Sequence, residues 1–286
     1  EKRLESLDLT LRSPQKSIPG CLWLDQNDVL WLAYPNIGIG RYDQTEKQVT
    51  LIGKHAHTPL KMYDYGKDSL LIGTLSRGLF AMSKKTGVER KITAEKTVST
   101  DSLYVNVIQK ISNQRYWIGT LTGIYIFEKG RITSQIQPKW YDPQSVSDQI
   151  ILSVCQDRNQ NIWIGTKNGG VNYYNLHSSA FKIIQPDFKT KSYLGQQVKA
   201  LVTDTDNHLW IGMEDGGAGM INIPHSMKKK PSPSIIPILN RFHRIYAMNV
   251  SGDELWAGSF SKGIYVYNIR SKEIKHYCKT NDPHSI

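Results

Sequence analysis

The sequence predicts an all-β fold, and three regularities carry the prediction. One phrase, clearest as Ile162-Trp163-Ile164-Gly165-Thr166, recurs six times, with its anchor residue at Trp31, Leu71, Trp117, Trp163, Trp210 and Trp256, so that successive copies lie 40, 46, 46, 47 and 46 residues apart. A small residue stands two places after every anchor, at Ala33, Gly73, Gly119, Gly165, Gly212 and Gly258. A second glycine follows the anchor by seven places in five copies, at Gly38, Gly78, Gly170, Gly217 and Gly263, and one place earlier in the third, at Gly123. Short apolar segments punctuated by glycine at a period of about 40 to 50 residues predict the blades of a β-propeller, small sheets that bury their faces only against one another.

Each copy divides into four strands. The first is an apolar inner segment, such as Ile150-Ile151-Leu152-Ser153-Val154-Cys155 or Val198-Lys199-Ala200-Leu201-Val202, closed by a polar turn, Asp157-Arg158-Asn159-Gln160-Asn161 or Asp204-Thr205-Asp206-Asn207. The second is the anchor strand, apolar at consecutive positions because a propeller sheet is covered on both faces. Its tryptophan and the small residue two places on share a face, and the missing side chain lets a neighbouring blade approach. The third opens on the later glycine, suited to a turn that needs positive φ, and reaches Tyr42, Met82, Phe127, Tyr174, Ile221 or Tyr267. The fourth is a more polar outer segment such as Phe181-Lys182-Ile183-Ile184. Blades are thus expected at 17–54, 57–93, 101–137, 146–185, 194–240 and 243–278, within a single propeller region spanning 1–286. Residues 1–13, with Leu4 to Leu11, suit the outer strand of a further blade. Trp31, Trp117, Trp163, Trp210 and Trp256 are expected to be structural and buried, together with Trp23 of the first inner strand; Gly73, Gly119, Gly165, Gly212 and Gly258 are their close-packing partners.

Composition narrows the class. The chain has 286 residues, a formal net charge of +11 and a mean hydropathy of -0.42. It holds no apolar run near the length that spans a bilayer, and Glu1 opens a polar stretch without the hydrophobic region of a secretory leader. Three cysteines, Cys21, Cys155 and Cys278, cannot all pair within one chain, and as inner-strand residues Cys21 and Cys155 suit buried small apolar sites. The densest basic run, Lys228-Lys229-Lys230 before Pro231-Ser232-Pro233, suits a solvated loop. The positive balance also suits attraction to a polyanion, but no nucleic-acid module accompanies it.

Motifs of catalysis are sparse. Asp157, Asn159 and Asn161 imitate the opening of a calcium loop, but Ile162 takes the place of its glycine and Asn168 that of its closing glutamate, so a tight turn is expected and no metal site. His55 and His57 are a poor metal pair by themselves. Glu214 and Asp215 are adjacent carboxylates that point apart on an extended chain, which leaves general acid-base use open without favouring it. No cofactor-binding sequence is recognised.

The phrase from Asp157 to Tyr174, Asp-Arg-Asn-Gln-Asn-Ile-Trp-Ile-Gly-Thr-Lys-Asn-Gly-Gly-Val-Asn-Tyr-Tyr, resembles the regulator-propeller repeat of hybrid two-component sensors, large membrane proteins of Bacteroidetes that combine histidine kinase and response regulator. The segment Asp142-Pro143-Gln144-Ser145-Val146-Ser147-Asp148-Gln149-Ile150, echoed by Asp282-Pro283-His284-Ser285-Ile286, is similar to the stretch that enters a new blade in that family. Ala33 and Pro35 in the first copy, and Leu71 in the second, depart from its pattern. The resemblance implies a seven-bladed ring or a longer array of which this chain is a piece, a periplasmic location in an inner-membrane protein, and the role of a non-enzymatic sensor. It further implies an oligosaccharide ligand, an acidic one in view of the charge, additional propeller domains and a homodimer in the parent, and a kinase outside this chain. A carbohydrate-active propeller enzyme, lyase or glycosidase, and a protein-binding scaffold are the alternatives.

Topology places the candidate site. In an up-and-down blade the loop after the anchor strand and the loop joining one blade to the next emerge at one end, and the Asp-rich turns at the other. Tyr34, Arg77, Lys167, Asn168, Glu214, Asp215, Phe260 and Lys262 belong to the first class of loop, and Trp140 and Tyr141 to the second. They are the candidate ligand-binding residues, expected to line a channel mouth, because loops that vary on a repetitive scaffold carry specificity. For Trp140, packing across a blade seam is as good a reading as contact with a sugar face.

Overall fold

The computed structural model describes residues 9, 11, 17–54, 57–95, 103–139, 141–142, 144–175, 180–184, 197–223, 236–239 and 243–278. Trp140, His55, the lysine run at 228–230, the terminal blade-entry echo and all of 1–13 except Leu9 and Leu11 lie outside the described residues.

The described residues form six four-stranded sheets and no helix. The first contains β1 (Cys21–Leu24), β2 (Leu30–Tyr34), β3 (Gly38–Asp43) and β4 (Gln48–Lys54). The second contains β5 (Pro59–Tyr65), β6 (Ser69–Thr74), β7 (Leu79–Ser83) and β8 (Glu89–Lys91), and the third β9 (Val105–Ser112), β10 (Arg115–Thr120), β11 (Gly123–Glu128) and β12 (Arg131–Ile136). The fourth contains β13 (Ile151–Gln156), β14 (Ile162–Thr166), β15 (Val171–Asn175) and β16 (Ala180–Ile184). The fifth contains β17 (Val198–Thr203), β18 (His208–Met213), β19 (Gly217–Asn222) and β20 (Ile236–Leu239), and the sixth β21 (Ile245–Ser251), β22 (Glu254–Ser259), β23 (Gly263–Asn268) and β24 (Ile274–Tyr277). Strand order follows the chain and every pairing is antiparallel, as in the fourth sheet, where Trp163 lies opposite Cys155 on one side and Tyr173 on the other. The sheets fall into two compact units, Leu7–Ile136 with the first three and Gln137–Ile286 with the last three.

Within each unit, the anchor of one sheet is buried against the next. In the unit Leu7–Ile136, Trp31 packs among Met62, Leu70 and Ile72 of the second sheet, and Leu71 joins a cluster with Val105, Ile118 and Phe127 of the third. In the unit Gln137–Ile286, Trp163 packs with Val198, Leu209 and Ile211 of the fifth sheet, and Trp210 with Leu255 and Ile269 of the sixth. Trp117 is buried as well. Trp256 differs from the expectation of burial: it is half-buried, its ring stacked on Tyr277 at 6.5 Å. The sixth sheet is the last of its unit, so no further sheet of that unit lies against this anchor. Trp23 is likewise half-buried, packed on the Tyr63 ring at 4.6 Å.

The glycine two places after the anchor is where the sheets come closest. A Cβ on Gly73 would fall 2.3 Å from Cγ1 of Val105 in the next sheet, one on Gly165 2.5 Å from Cγ1 of Val198, and one on Gly212 2.8 Å from Cγ2 of Ile245. At Gly258 the nearest atoms are 3.7 Å away and belong to its own sheet. The later glycine has the positive φ its turn needs, 81° at Gly78, 68° at Gly170, 77° at Gly217 and 79° at Gly263.

The Asp-rich turns do more than reverse the chain. Asp157 accepts hydrogen bonds from the Asn161 backbone at 2.8 Å and the Trp163 indole at 2.9 Å. The same contact joins Trp31 to Asp25 at 3.0 Å and Trp210 to Asp204 at 2.9 Å. A buried indole N–H thereby finds its acceptor in a side-chain carboxyl oxygen. All three cysteines are free thiols. Cys155 is buried, and burial pushes its thiol far above the usual range.

Candidate functional site

In the unit Gln137–Ile286, the fifth and sixth sheets bring five side chains together at one end. Antiparallel order puts the starts of β17 and β21 beside the ends of β18 and β22, so Lys199, Arg244 and Tyr246 meet the loop residues Glu214 and Phe260. Two backbone bonds fix the loops, from Glu214 N to the Gln197 carbonyl at 3.0 Å and from Phe260 N to the Arg244 carbonyl at 2.9 Å. Glu214 pairs with Lys199 at 3.0 Å through one oxygen and with Arg244 through the other. The Arg244 guanidinium also donates to the Tyr246 hydroxyl at 3.2 Å and lies over the Phe260 ring, 4.7 Å from its centre. Tyr246 and Phe260 are themselves 5.3 Å apart, and Lys199 Nζ lies 5.1 Å from the Tyr246 ring centre.

Burial by itself would raise the Glu214 carboxyl; hydrogen bonds from Tyr246, Lys199 and Arg244 overcome it and hold the group at about 2. Glu214 is therefore ionised at neutral pH and is no proton donor there. Burial, then the neighbouring carboxylate, pushes the Tyr246 phenol up. Two cations around one carboxylate leave a single positive charge. With Phe260 63% exposed, the seam presents that charge beside an open aromatic face. Such a surface can take a ring-shaped polar ligand, its C–H face on Phe260 and its anion or hydroxyls on Arg244.

Tyr34 is buried, not exposed in a loop, and its hydroxyl donates to the Leu9 carbonyl at 2.7 Å. Arg77, Lys167, Asn168, Asp215 and Lys262 are exposed. Asp215 accepts from the Gln197 backbone at 3.2 Å, away from the ion pairs of Glu214, so the adjacent carboxylates diverge. Asn168 donates its backbone N–H to Asp148 at 2.7 Å, and Arg77 its own to Thr74 at 3.0 Å. Lys262 lends its carbonyl to His276. Tyr141 is 66% exposed, in a turn braced by Ser145, and Trp140 beside it lies outside the described residues. Glu214 and Phe260 thus share Arg244 as a partner. Lys199, Arg244 and Tyr246 escaped the sequence reading because it looked to loops alone. Their signal was available, since these polar side chains open inner strands at the end where the same loops emerge.

Two further groupings lie in the unit Leu7–Ile136. Lys84 is a half-buried clasp between the first two sheets, 2.7 Å from Asp25 and 2.6 Å from Asp64. Asp25 also accepts from Trp31, and Asp64 from the Trp23 indole at 3.3 Å. Burial would raise the Asp25 carboxyl, but Lys84, Trp31 and two backbone N–H groups hold it at about 2. An open cavity of about 610 Å³ lies between turns of the second and third sheets, lined by Tyr65, Lys110, Asn113, Gln114, Tyr116 and Lys129. Among the described residues no group of His, Cys, Asp and Glu is arranged to hold a metal ion.

Residues 145–168 match the family model described as two component regulator propeller. The chain is similar in structure to the extracellular domain of BT4673 of B. thetaiotaomicron, described as a hybrid two component system, with TM-score 0.75 and 20% identity over 99% of this chain and 36% of that one. It is also similar to the extracellular domain of BT3049 of the same organism, described likewise, with TM-score 0.71 and 16% identity over 93% of this chain and 35% of that one. The β-propeller domain of Cps50 (Swd1) from Myceliophteria thermophila matches with TM-score 0.63 and 12% identity, over 95% of this chain and 90% of that one. The fold is that of the β-propellers. The chain spans about a third of the length of the two bacterial structures. No curated protein matches it.

Proposed function

We propose that this chain is the extracytoplasmic, ligand-sensing portion of a two-component signalling protein, placed in the periplasm and binding an oligosaccharide. The loops after the anchor strands carry the site. The observation behind this reading is the seam of Lys199, Glu214, Arg244, Tyr246 and Phe260, where a held guanidinium borders an exposed ring. Arg77, Lys167, Asn168, Asp215 and Lys262 lie on loops of the same class, as Tyr141 and Trp140 lie on a blade-to-blade connection. In the parent, further propeller domains and a second copy are the partners that would carry the signal to a kinase. Glu214 is not suited to the general-acid role of a glycosidase at neutral pH, since hydrogen bonds from Tyr246, Lys199 and Arg244 hold its carboxyl at about 2.

Calorimetry with a panel of neutral and acidic oligosaccharides tests the reading. A binder should lose roughly tenfold in affinity when Arg244 is changed to Gln or Phe260 to Ala, on the order of one charge-assisted bond or one ring contact. Release of new reducing ends from any member of the panel would favour the enzyme instead, and full affinity in both variants would remove the seam from the site.

A further inference from the structure

The cavity in the unit Leu7–Ile136 has no part in the proposal above and lies at the other end of its sheets. Three turns build it. β5 ends at Tyr65, the β9–β10 hairpin turns at Asn113 and Gln114, and the β11–β12 hairpin turns at Lys129. Gln114 and Lys129 adopt φ of 64° and 50°, so both hairpins are tight, and their tips are set by the sheets beneath them. Tyr65 is held in place by edge contacts with Phe127 at 5.4 Å and with Tyr116 at 6.0 Å. The Tyr116 hydroxyl donates to the Asp64 carbonyl at 3.1 Å, which fixes the second ring.

Charge separates this cavity from the ion-paired clusters. Lys110 and Lys129 are exposed, have no ion-pair partner among the described residues, and no carboxylate is among the lining residues. Lys84, Lys199 and Arg244 are by contrast all paired with carboxylates. Two lysines lining one concavity that holds no carboxylate give it a positive charge, which an anionic ligand would neutralise. Asn113 and Gln114 each offer donor and acceptor groups, the pairing that suits hydroxyls. A volume of about 610 Å³ lies within the range of small-ligand sites.

We propose that this cavity is a second binding site, for a small acidic saccharide bearing a carboxylate or a sulfate. Lys110 and Lys129 take the anion, Asn113 and Gln114 the ring hydroxyls, and Tyr65 the apolar sugar face. The site is independent of the seam between the fifth and sixth sheets. Whether the anion is carboxylate or sulfate is decided by the probe.

The test is a calorimetric titration of the full chain with three disaccharides: one carrying a uronate, one carrying a sulfate, and one neutral. At least one acidic probe should bind, with affinity falling as salt is added, and the neutral one should bind at least tenfold more weakly. The double variant Lys110→Gln and Lys129→Gln keeps the side-chain stems at exposed positions; it should lose at least tenfold in affinity while unfolding at the wild-type temperature. The titration is repeated in the Arg244→Gln variant, where the seam is weakened: binding that persists there and is lost when Lys110→Gln and Lys129→Gln are added belongs to this site, which separates its failure from failure of the seam. The inference is overturned if neither acidic probe binds at millimolar concentration, if the neutral disaccharide binds equally well, or if the folded double variant retains full affinity.

Discussion

At the scale of the residue, the anchor tryptophan joins two independent stabilising contacts. Trp163 is fully buried between sheets, and its indole donates to Asp157. Replacing Trp163 by Ala removes both and should cost about 3 to 5 kcal/mol, as for other buried aromatics. Trp256 fills the same slot of the repeat but is half-buried, so Trp256→Ala should cost clearly less. Urea unfolding of the two variants measures the difference. Equal costs would mean that the exposure of Trp256 does not reflect its energetic role. The sequence marked both positions by spacing, but it gave equal weight to sites whose burial depends on what lies against the sheet.

At the scale of the element, the strand pair and its neighbour set which glycines are indispensable. Gly165 and Gly258 occupy one slot of the repeat. A methyl group on Gly165 would fall 2.2 Å from Ser153 Oγ and 2.8 Å from the Val198 carbonyl oxygen, and the second contact, to a backbone atom, cannot be relieved by a side-chain rotation. Gly165→Ala should therefore destabilise by about 1 to 3 kcal/mol, the usual cost of overpacking. Gly258→Ala meets nothing closer than 3.7 Å and should be nearly neutral. Thermal unfolding of the pair is the check, and a neutral Gly165→Ala would contradict the close approach of the fourth and fifth sheets.

At the scale of the whole molecule, acid stability follows from a set of carboxylates with lowered pKa. At Asp25, Asp204 and Glu214, burial acts first and would raise the value, but hydrogen bonds outweigh it and leave each group lowered, Asp25 and Glu214 to about 2. A carboxyl lowered in the folded state adds stability above its unfolded value, 3.8 for Asp and 4.5 for Glu, and that stability is lost as pH falls through the folded value. Asp25 alone contributes on the order of 2 kcal/mol. The unfolding temperature should hold from pH 7 to about 5 and drop steadily between about 4.5 and 2. A formal charge of +11 that grows as carboxylates protonate adds self-repulsion in the same direction. A flat profile to pH 2 would show that these groups are not lowered in the folded protein.

The sequence by itself determined what is periodic. Anchor spacing, the small residue two places on and the later glycine were enough to specify the type of sheet, because each records a local demand: an apolar strand covered on both faces, a close approach, a turn of positive φ. It also marked Asp157 and Asp204 as turn residues, although neither the indole bond each makes six places on nor the same bond at Asp25 was foreseen. The tertiary structure alone decided what depends on neighbours that no local pattern records. Tyr34 sits in a loop-class position but is buried, because Leu9 and Leu11 lie against it. Lys84 stands in the turn after β7, yet it closes on Asp25 and Asp64 in two different strands or turns far along the chain. Lys199, Arg244 and Tyr246 come together with Glu214 and Phe260 because two sheets pack side by side, and Lys110 and Lys129 face a common cavity because two hairpins turn at one end. A repeat fixes which atoms each sheet can present, and packing fixes which of them meet.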